Sequence, residues 1–206
     1  MPHVVSHAYL LIRDSGNVLF YNIGREGSRS AQRSADLSRI ENLGGISHQL
    51  LAHWHEASPS LAHIHHRFGA ELGVHRDDGP QVEREGGMSP DRLFNGRETV
   101  LHDIEIIPTP GHTAGSVSFL YRSPHGRTYL FTGDAILPRG EGWTAAPLRE
   151  SDRTKLRESL KLLGSLKPDV VIAAAAVGTE TLQEVTEDSW REAVVLAEGS
   201  LRRKAA

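Results

Sequence analysis

The run Leu50-Leu51-Ala52-His53-Trp54-His55-Glu56-Ala57-Ser58 constrains this chain more than any other stretch. An apolar segment of the kind that is buried ends in two histidines one residue apart. In an extended segment, side chains at i and i+2 share a face, so His53 and His55 can both address one point at the end of a strand. That is a chelating geometry. Two more stretches add to it: Pro108-Thr109-Pro110-Gly111-His112-Thr113-Ala114-Gly115-Ser116 and Tyr129-Leu130-Phe131-Thr132-Gly133-Asp134. Each places one metal-capable residue where a β-rich segment runs into a Gly-bearing loop, so the sequence offers three imidazoles and one carboxylate. With no cysteine in 206 residues, disulfides, thiolate ligands and a cysteine nucleophile are excluded. Any metal must be held by nitrogen and oxygen.

Together these stretches resemble the metallo-β-lactamase-fold superfamily, and within it the glyoxalase II-like hydrolases. Members typically carry H-x-H-x-D-H, then a histidine in a P-G-H-T-x-G-S-like loop, an aspartate at a T-G-D-like strand end, and a late G-H-G. The resemblance implies that His53, His55, His112 and Asp134 are metal ligands, with Asp134 also a candidate catalytic base. It departs from the family on one side of the site only. Ala57 stands where the family's aspartate belongs, Ser58 where its second-metal histidine belongs, and Val177 approximately at the late histidine. The expectation is therefore a divergent member with a degenerate second metal site and one bound ion, zinc or, as an alternative, iron. Glu56 is adjacent to the lost aspartate, but in an extended segment it points opposite to His55 and is not expected to compensate.

Along the chain, His7 to Ile12 and Val18 to Tyr21 predict a β-hairpin, followed by Asn22-Ile23-Gly24 where the family has an aspartate-threonine-glycine end. Arg25 to Ser34 predicts a loop, and Leu37, Ile40 and Leu43 a short helix closed by Gly44-Gly45. A strand over Gln49 to His53 precedes the motif. A helix is predicted from a cap at Ser58 or Ser60 to Phe68, closed by Gly69, with His63, His65 and His66 as surface or packing residues. Ala70 to His75 predicts a strand, with His75 structural. Asp77 to Gly87 predicts a surface loop, Thr99 to Pro108 one strand, and Val117 to Tyr121 and Thr128 to Phe131 two more. Ile136 to Glu150 predicts a long loop starting at the aspartate. A helix capped by Ser151 follows, then a strand over Val170 to Ala174, a last helix over about Asp188 to Leu201, and a frayed tail at Arg202-Arg203-Lys204. The expected class is α/β (α+β), and the resemblance implies a four-layer αβ/βα sandwich in a single domain over 1–206.

Net charge of -3 and 24% charged residues give no footprint for nucleic acid. No apolar run approaches a membrane span, and the N-terminus lacks a basic region followed by an apolar one, so a cytoplasmic protein with a small-molecule substrate or ligand is expected. Oligomeric state is open. Three imidazoles on zinc leave its charge available and lower the pKa of a bound water to about 7. The resemblance thus implies a mononuclear zinc hydrolase using metal-bound hydroxide on a small acyl or phosphoryl ester. Two alternatives stand beside it: a mononuclear iron dioxygenase built on His53, His112 and Asp134, and a non-catalytic relative that binds a ligand or partner through the old pocket.

Overall fold

The computed structural model describes residues 3–24 and 30–202 and resolves two compact units, His7–Asn95 and Met1–Ser6 with Gly96–Ala206. Strand β1 (Val4–Ser6) opens the chain and belongs to the latter. The unit over His7–Asn95 holds β2 (Tyr9–Leu11), β3 (Val18–Phe20), helix α1 (Ser30–Asn42), β4 (His48–Leu50), α2 (Ser60–Phe68), β5 (Glu71–His75), α3 (Gly79–Gly86) and β6 (Arg92–Phe94). Its sheet runs β2-β3-β4-β5-β6, antiparallel only at the β2–β3 hairpin. Parallel neighbours need crossovers, and α1, α2 and α3 supply them. Strands so covered are apolar on both faces, as Val18-Leu19-Phe20 and Leu72-Gly73-Val74 are. Leu19, Leu37, Ile46, Ile64 and Ala70 form one core cluster, and Leu51, Leu61, Leu72, Val74 and Val82 another. The C-terminal ends of parallel strands are where α/β sheets place ligands. Here the chain leaves β3 at Asn22, β4 toward His53 and β5 at His75.

Two expectations for this unit need correction. Helix α1 begins at Ser30, inside the predicted loop, whose residues 25–29 lie outside the described ones. The predicted surface loop Asp77 to Gly87 is largely α3. Pro80 sits in its first turn, Val82 is fully buried, and Gly87 closes it at φ 70 with its N–H on the Glu83 carbonyl at 3.0 Å. An early proline and a terminal glycine are the signal that the polar composition hid.

The other unit continues with β7 (Glu98–Val100), β8 (Ile104–Pro108), β9 (Val117–Arg122), β10 (Thr128–Gly133), β11 (Leu137–Arg139), β12 (Gly142–Thr144), α4 (Arg153–Gly164), β13 (Val170–Ala173), β14 (Ala175–Val177), β15 (Leu182–Glu184) and α5 (Glu187–Ser200). A six-stranded sheet runs β15-β13-β10-β9-β8-β7, and a four-stranded one β1-β14-β11-β12. Leu156, Leu160 and Leu163 of α4 and Trp190, Val194 and Ala197 of α5 pack with Leu120, Leu130 and Val171 of the larger sheet. Trp190 Nε1 donates to the Leu163 carbonyl at 2.9 Å, so the largest core side chain leaves no buried donor unpaired. Asp152, not Ser151, caps α4, accepting from the Thr154 and Lys155 amides. The strand predicted over Thr99 to Pro108 is a hairpin, because Leu101 and His102 take φ 52 and 72 and turn the chain between β7 and β8. The predicted loop Ile136 to Glu150 begins with the β11–β12 hairpin. Of the expected C-terminal tail, residues 203 and 204 lie outside the described ones. Among the described residues, no helix is long and apolar enough to cross a membrane.

Candidate metal centre

After β4, the Leu51 amide still donates to the Gly73 carbonyl of β5, at 3.1 Å, and His53 is fully extended at φ -166, ψ 166. The chain then tightens into a single 3₁₀ turn over Trp54–Glu56, with the Glu56 amide on the His53 carbonyl and the Ala57 amide on that of Trp54. His53 and His55 do converge, their ring centroids 5.2 Å apart at 75°. The cause differs from the one expected: a turn, not a continuous strand, brings them together. Trp54 lies against His55 at 3.9 Å between centroids and limits where that ring can go.

Three polar side chains clamp this turn. Asp78, 1% exposed, accepts the Trp54 N–H at 3.0 Å; Glu56 Oε2 accepts the Ala52 N–H at 3.1 Å; Asn22 Nδ2 donates to the Glu56 carbonyl at 2.8 Å. The turn also gives Glu56 a neighbour that alternation does not suggest. Its side chain folds back toward His53, with Oε1 3.2 Å from His53 Nδ1 though off the alignment of a hydrogen bond.

Ala57 and Ser58, next in the chain, are both engaged with the protein interior. Ala57 is buried in the cluster of Leu51, Leu61, Leu72, Val74 and Val82. Ser58 is buried too, its Oγ 2.8 Å from Ser60 Oγ and 3.1 Å from Asn22 Nδ2. Asn22 Oδ1 accepts from Ser60 Oγ and Gln49 Nε2, which closes the network. Val177 is a β14 residue registered with Val4 and Arg139, and offers no donor atom beyond its backbone. His75 Nδ1 accepts the Asp77 amide at 3.3 Å, which puts the proton of the neutral ring on Nε2.

His112 sits in a loop that is rigid by construction. Gly111 at φ +134 donates its N–H to the Thr113 carbonyl at 2.8 Å, and the Thr113 amide and hydroxyl both meet Ser116 Oγ. Ser159 Oγ donates to the Pro110 carbonyl at 2.7 Å and Ser151 Oγ to the His112 carbonyl at 2.8 Å. His112 Nδ1 is 2.6 Å from the Ala146 carbonyl. A carbonyl only accepts, so Nδ1 carries the proton and Nε2 keeps its lone pair. That Nε2 lies 3.8 Å from Asp134 Oδ2, just past the end of β10. An imidazole whose other nitrogen donates to a carbonyl is the arrangement of a metal-ligating histidine. Each unit thus carries metal-capable side chains of its own: the converging His53 and His55 in one, and His112 with Asp134 in the other.

Residues 51–175, more than half of the chain, match the family model described as the metallo-beta-lactamase superfamily. The chain belongs to this superfamily. Solved metallo-β-lactamase-fold structures share its architecture. ETHE1 from Myxococcus xanthus is 19% identical with a TM-score of 0.68, over 94% of this chain and 80% of that one. The metallo-β-lactamase GOB-18 from Elizabethkingia meningoseptica is 15% identical with a TM-score of 0.67, over 95% and 84%. A HARLDQ-motif metallo-β-lactamase from Cronobacter sakazakii is 19% identical with a TM-score of 0.64, over 82% and 73%. At these identities the likeness concerns the fold. The mixed α/β class and the superfamily expected from the motifs are both found.

Proposed function

We propose that this protein is a mononuclear metal-dependent hydrolase of the metallo-β-lactamase superfamily, acting on a small acyl or phosphoryl ester, with His53, His55 and His112 holding one zinc ion and Asp134 beside it. The observation that carries the reading is the fate of the motif's residues: His53 and His55 converge, and His112 keeps its Nε2 lone pair beside Asp134, whereas Ala57 and Ser58 are committed to the core and to Asn22. Neither Ala57 nor Ser58 offers an imidazole or a carboxylate to a second ion. Nitrogen and carboxylate oxygen are the donors zinc accepts, and the Nδ1 proton that His112 gives to Ala146 leaves Nε2 for coordination. A bound zinc ion would supply Lewis acidity toward an electrophilic oxygen and acidify a water molecule to a pKa of about 7. The residues do the rest: the Ala146 carbonyl fixes the orientation of the His112 imidazole, and Asp134 offers a carboxylate near His112 Nε2 that can accept a proton.

Elemental mass spectrometry on the purified, untagged protein and on His53→Ala with His112→Ala tests the metal. Close to one equivalent of zinc, lost in the double variant, is expected; iron in its place would redirect the reading to oxygen chemistry. Hydrolysis of at least one member of an ester, thioester and phosphodiester panel is expected of the loaded protein. Loaded protein that hydrolyses none of them would overturn the assignment as a hydrolase.

A further inference from the structure

We propose that Glu56 is the positioning carboxylate of His53, holding the ring's Nδ1 proton inward so that Nε2 is the nitrogen presented for coordination. The inference rests on the metal-binding reading above and extends it to a residue that the family's motif leaves as a variable position. Four observations carry it. The Glu56 side chain is only 9% exposed, so its oxygens depend on the protein donors around them more than on water. Oε2 is engaged by the Ala52 amide, which comes from the residue just before His53. This contact fixes the carboxylate over the stretch it must orient. Oε1 then faces His53 Nδ1 at 3.2 Å. Last, the backbone of Glu56 is itself held, because Asn22 donates to its carbonyl at 2.8 Å. The carboxylate therefore does not reach His53 on a loose arm.

A carboxylate only accepts, so of the two neutral tautomers it favours the one with hydrogen on Nδ1. His112 reaches the same tautomer through the Ala146 carbonyl. The two histidines are thus prepared alike, one by a backbone oxygen and one by a side chain. Glu56 is a positioning residue acting through His53, and it can do this only because the 3₁₀ turn over Trp54–Glu56 carries residue 56 back toward residue 53. In an i,i+3 relation across such a turn the two side chains lie on the same side.

The test begins on the metal-free protein. Long-range ¹H–¹⁵N spectra of histidine-labelled wild type are expected to show His53 with hydrogen on Nδ1, assigned by loss of its signals in His53→Gln. In Glu56→Leu the neutral tautomers should mix. Zinc affinity, measured by competition with a chromophoric chelator, should fall about 10- to 100-fold in Glu56→Leu and less in Glu56→Gln, whose amide oxygen can still accept. Glu56→Asp, one methylene short, should not recover wild-type affinity. His53 with hydrogen on Nε2 in the wild type would overturn the proposal without any variant, as would zinc affinity within twofold of wild type in a folded Glu56→Leu. If wild type binds no metal, the functional reading fails, yet the tautomer of His53 still decides the role of Glu56.

Discussion

Ser151 Oγ donates to the main-chain carbonyl of His112 at 2.8 Å while accepting the Leu148 amide at 2.8 Å, so one hydroxyl ties the approach to α4 to the loop that carries the histidine. Ser151→Ala removes both bonds. We expect a loss of about 1–2 kcal/mol in denaturant unfolding, since each bond is worth roughly 0.5–1.5 kcal/mol net. We also expect a several-fold loss of zinc affinity by chelator competition. Asp152→Ala is the contrasting case: it removes the α4 cap at a cost of about 1 kcal/mol and should leave zinc affinity where it was.

Gly111 precedes the same histidine, and nothing larger fits. A Cβ there would lie 2.3 Å from the Leu156 amide nitrogen and 2.4 Å from its Cα, at a φ of +134 that side chains rarely adopt. Because the obstacle is helix backbone, α4 itself would have to move. Gly111→Ala is expected to cost about 3 kcal/mol or more in thermal or denaturant unfolding, or to prevent soluble expression. A midpoint close to wild type would show that the loop can reseat.

Restoring the family's aspartate at position 57 should not restore a second metal. Ala57 packs against Leu61, Val74 and Val82, and Ala57→Asp would place a carboxylate among them without a partner. We expect a loss of about 3 kcal/mol in stability and a metal content that stays at or below one equivalent by elemental mass spectrometry. Two equivalents in a stable variant would contradict both points.

Glu105 should leave a mark on acid unfolding. Burial alone would raise its carboxyl, but hydrogen bonds and charge from Arg97, at 2.6 Å, and Arg122, at 3.2 Å, outweigh that and hold it below the model-compound value of 4.5. A carboxyl lowered in the folded state stabilises fully above its unfolded pKa, and this is lost as pH falls through the folded value. The stability gap between wild type and Glu105→Gln, from denaturant midpoints, should be constant near neutrality. It should shrink on acidification below about pH 4.5. A gap that widens with acid would reverse the sign.

Much of the fold was legible because periodicity and punctuation agreed. The strands around Val18-Leu19-Phe20, Val117 to Tyr121 and Val170 to Ala173 are apolar runs bounded by turn residues, and Gly69 closes α2 in the left-handed conformation its position suggested. Helix α3 was missed because a buried Val82 stands nearly alone among polar residues, and one apolar side chain makes no period. The β7–β8 hairpin was missed because its turn uses Leu101 and His102 at positive φ, residues that carry no turn signal. At the candidate site, the motifs single out His53, His55, His112 and Asp134, but they do not reveal which groups support these loops. Ala146, Asp78 and Asn22 reach the histidine loops from 34, 24 and 34 residues away in sequence. The approach of Glu56 to His53 was not legible for a local reason: alternation assumes a strand, and the strand had already ended.

The hydroxyl of Ser58 shares one buried network with Ser60, Asn22 and Gln49. A histidine at 58 would have to displace its partners and leave the Asn22 amide and the Ser60 hydroxyl facing a void or a ring. Position 58 therefore cannot be revised by itself: Ser60, Asn22 and Gln49 are paired with one another around it, and a larger side chain there calls for a new arrangement of the whole group.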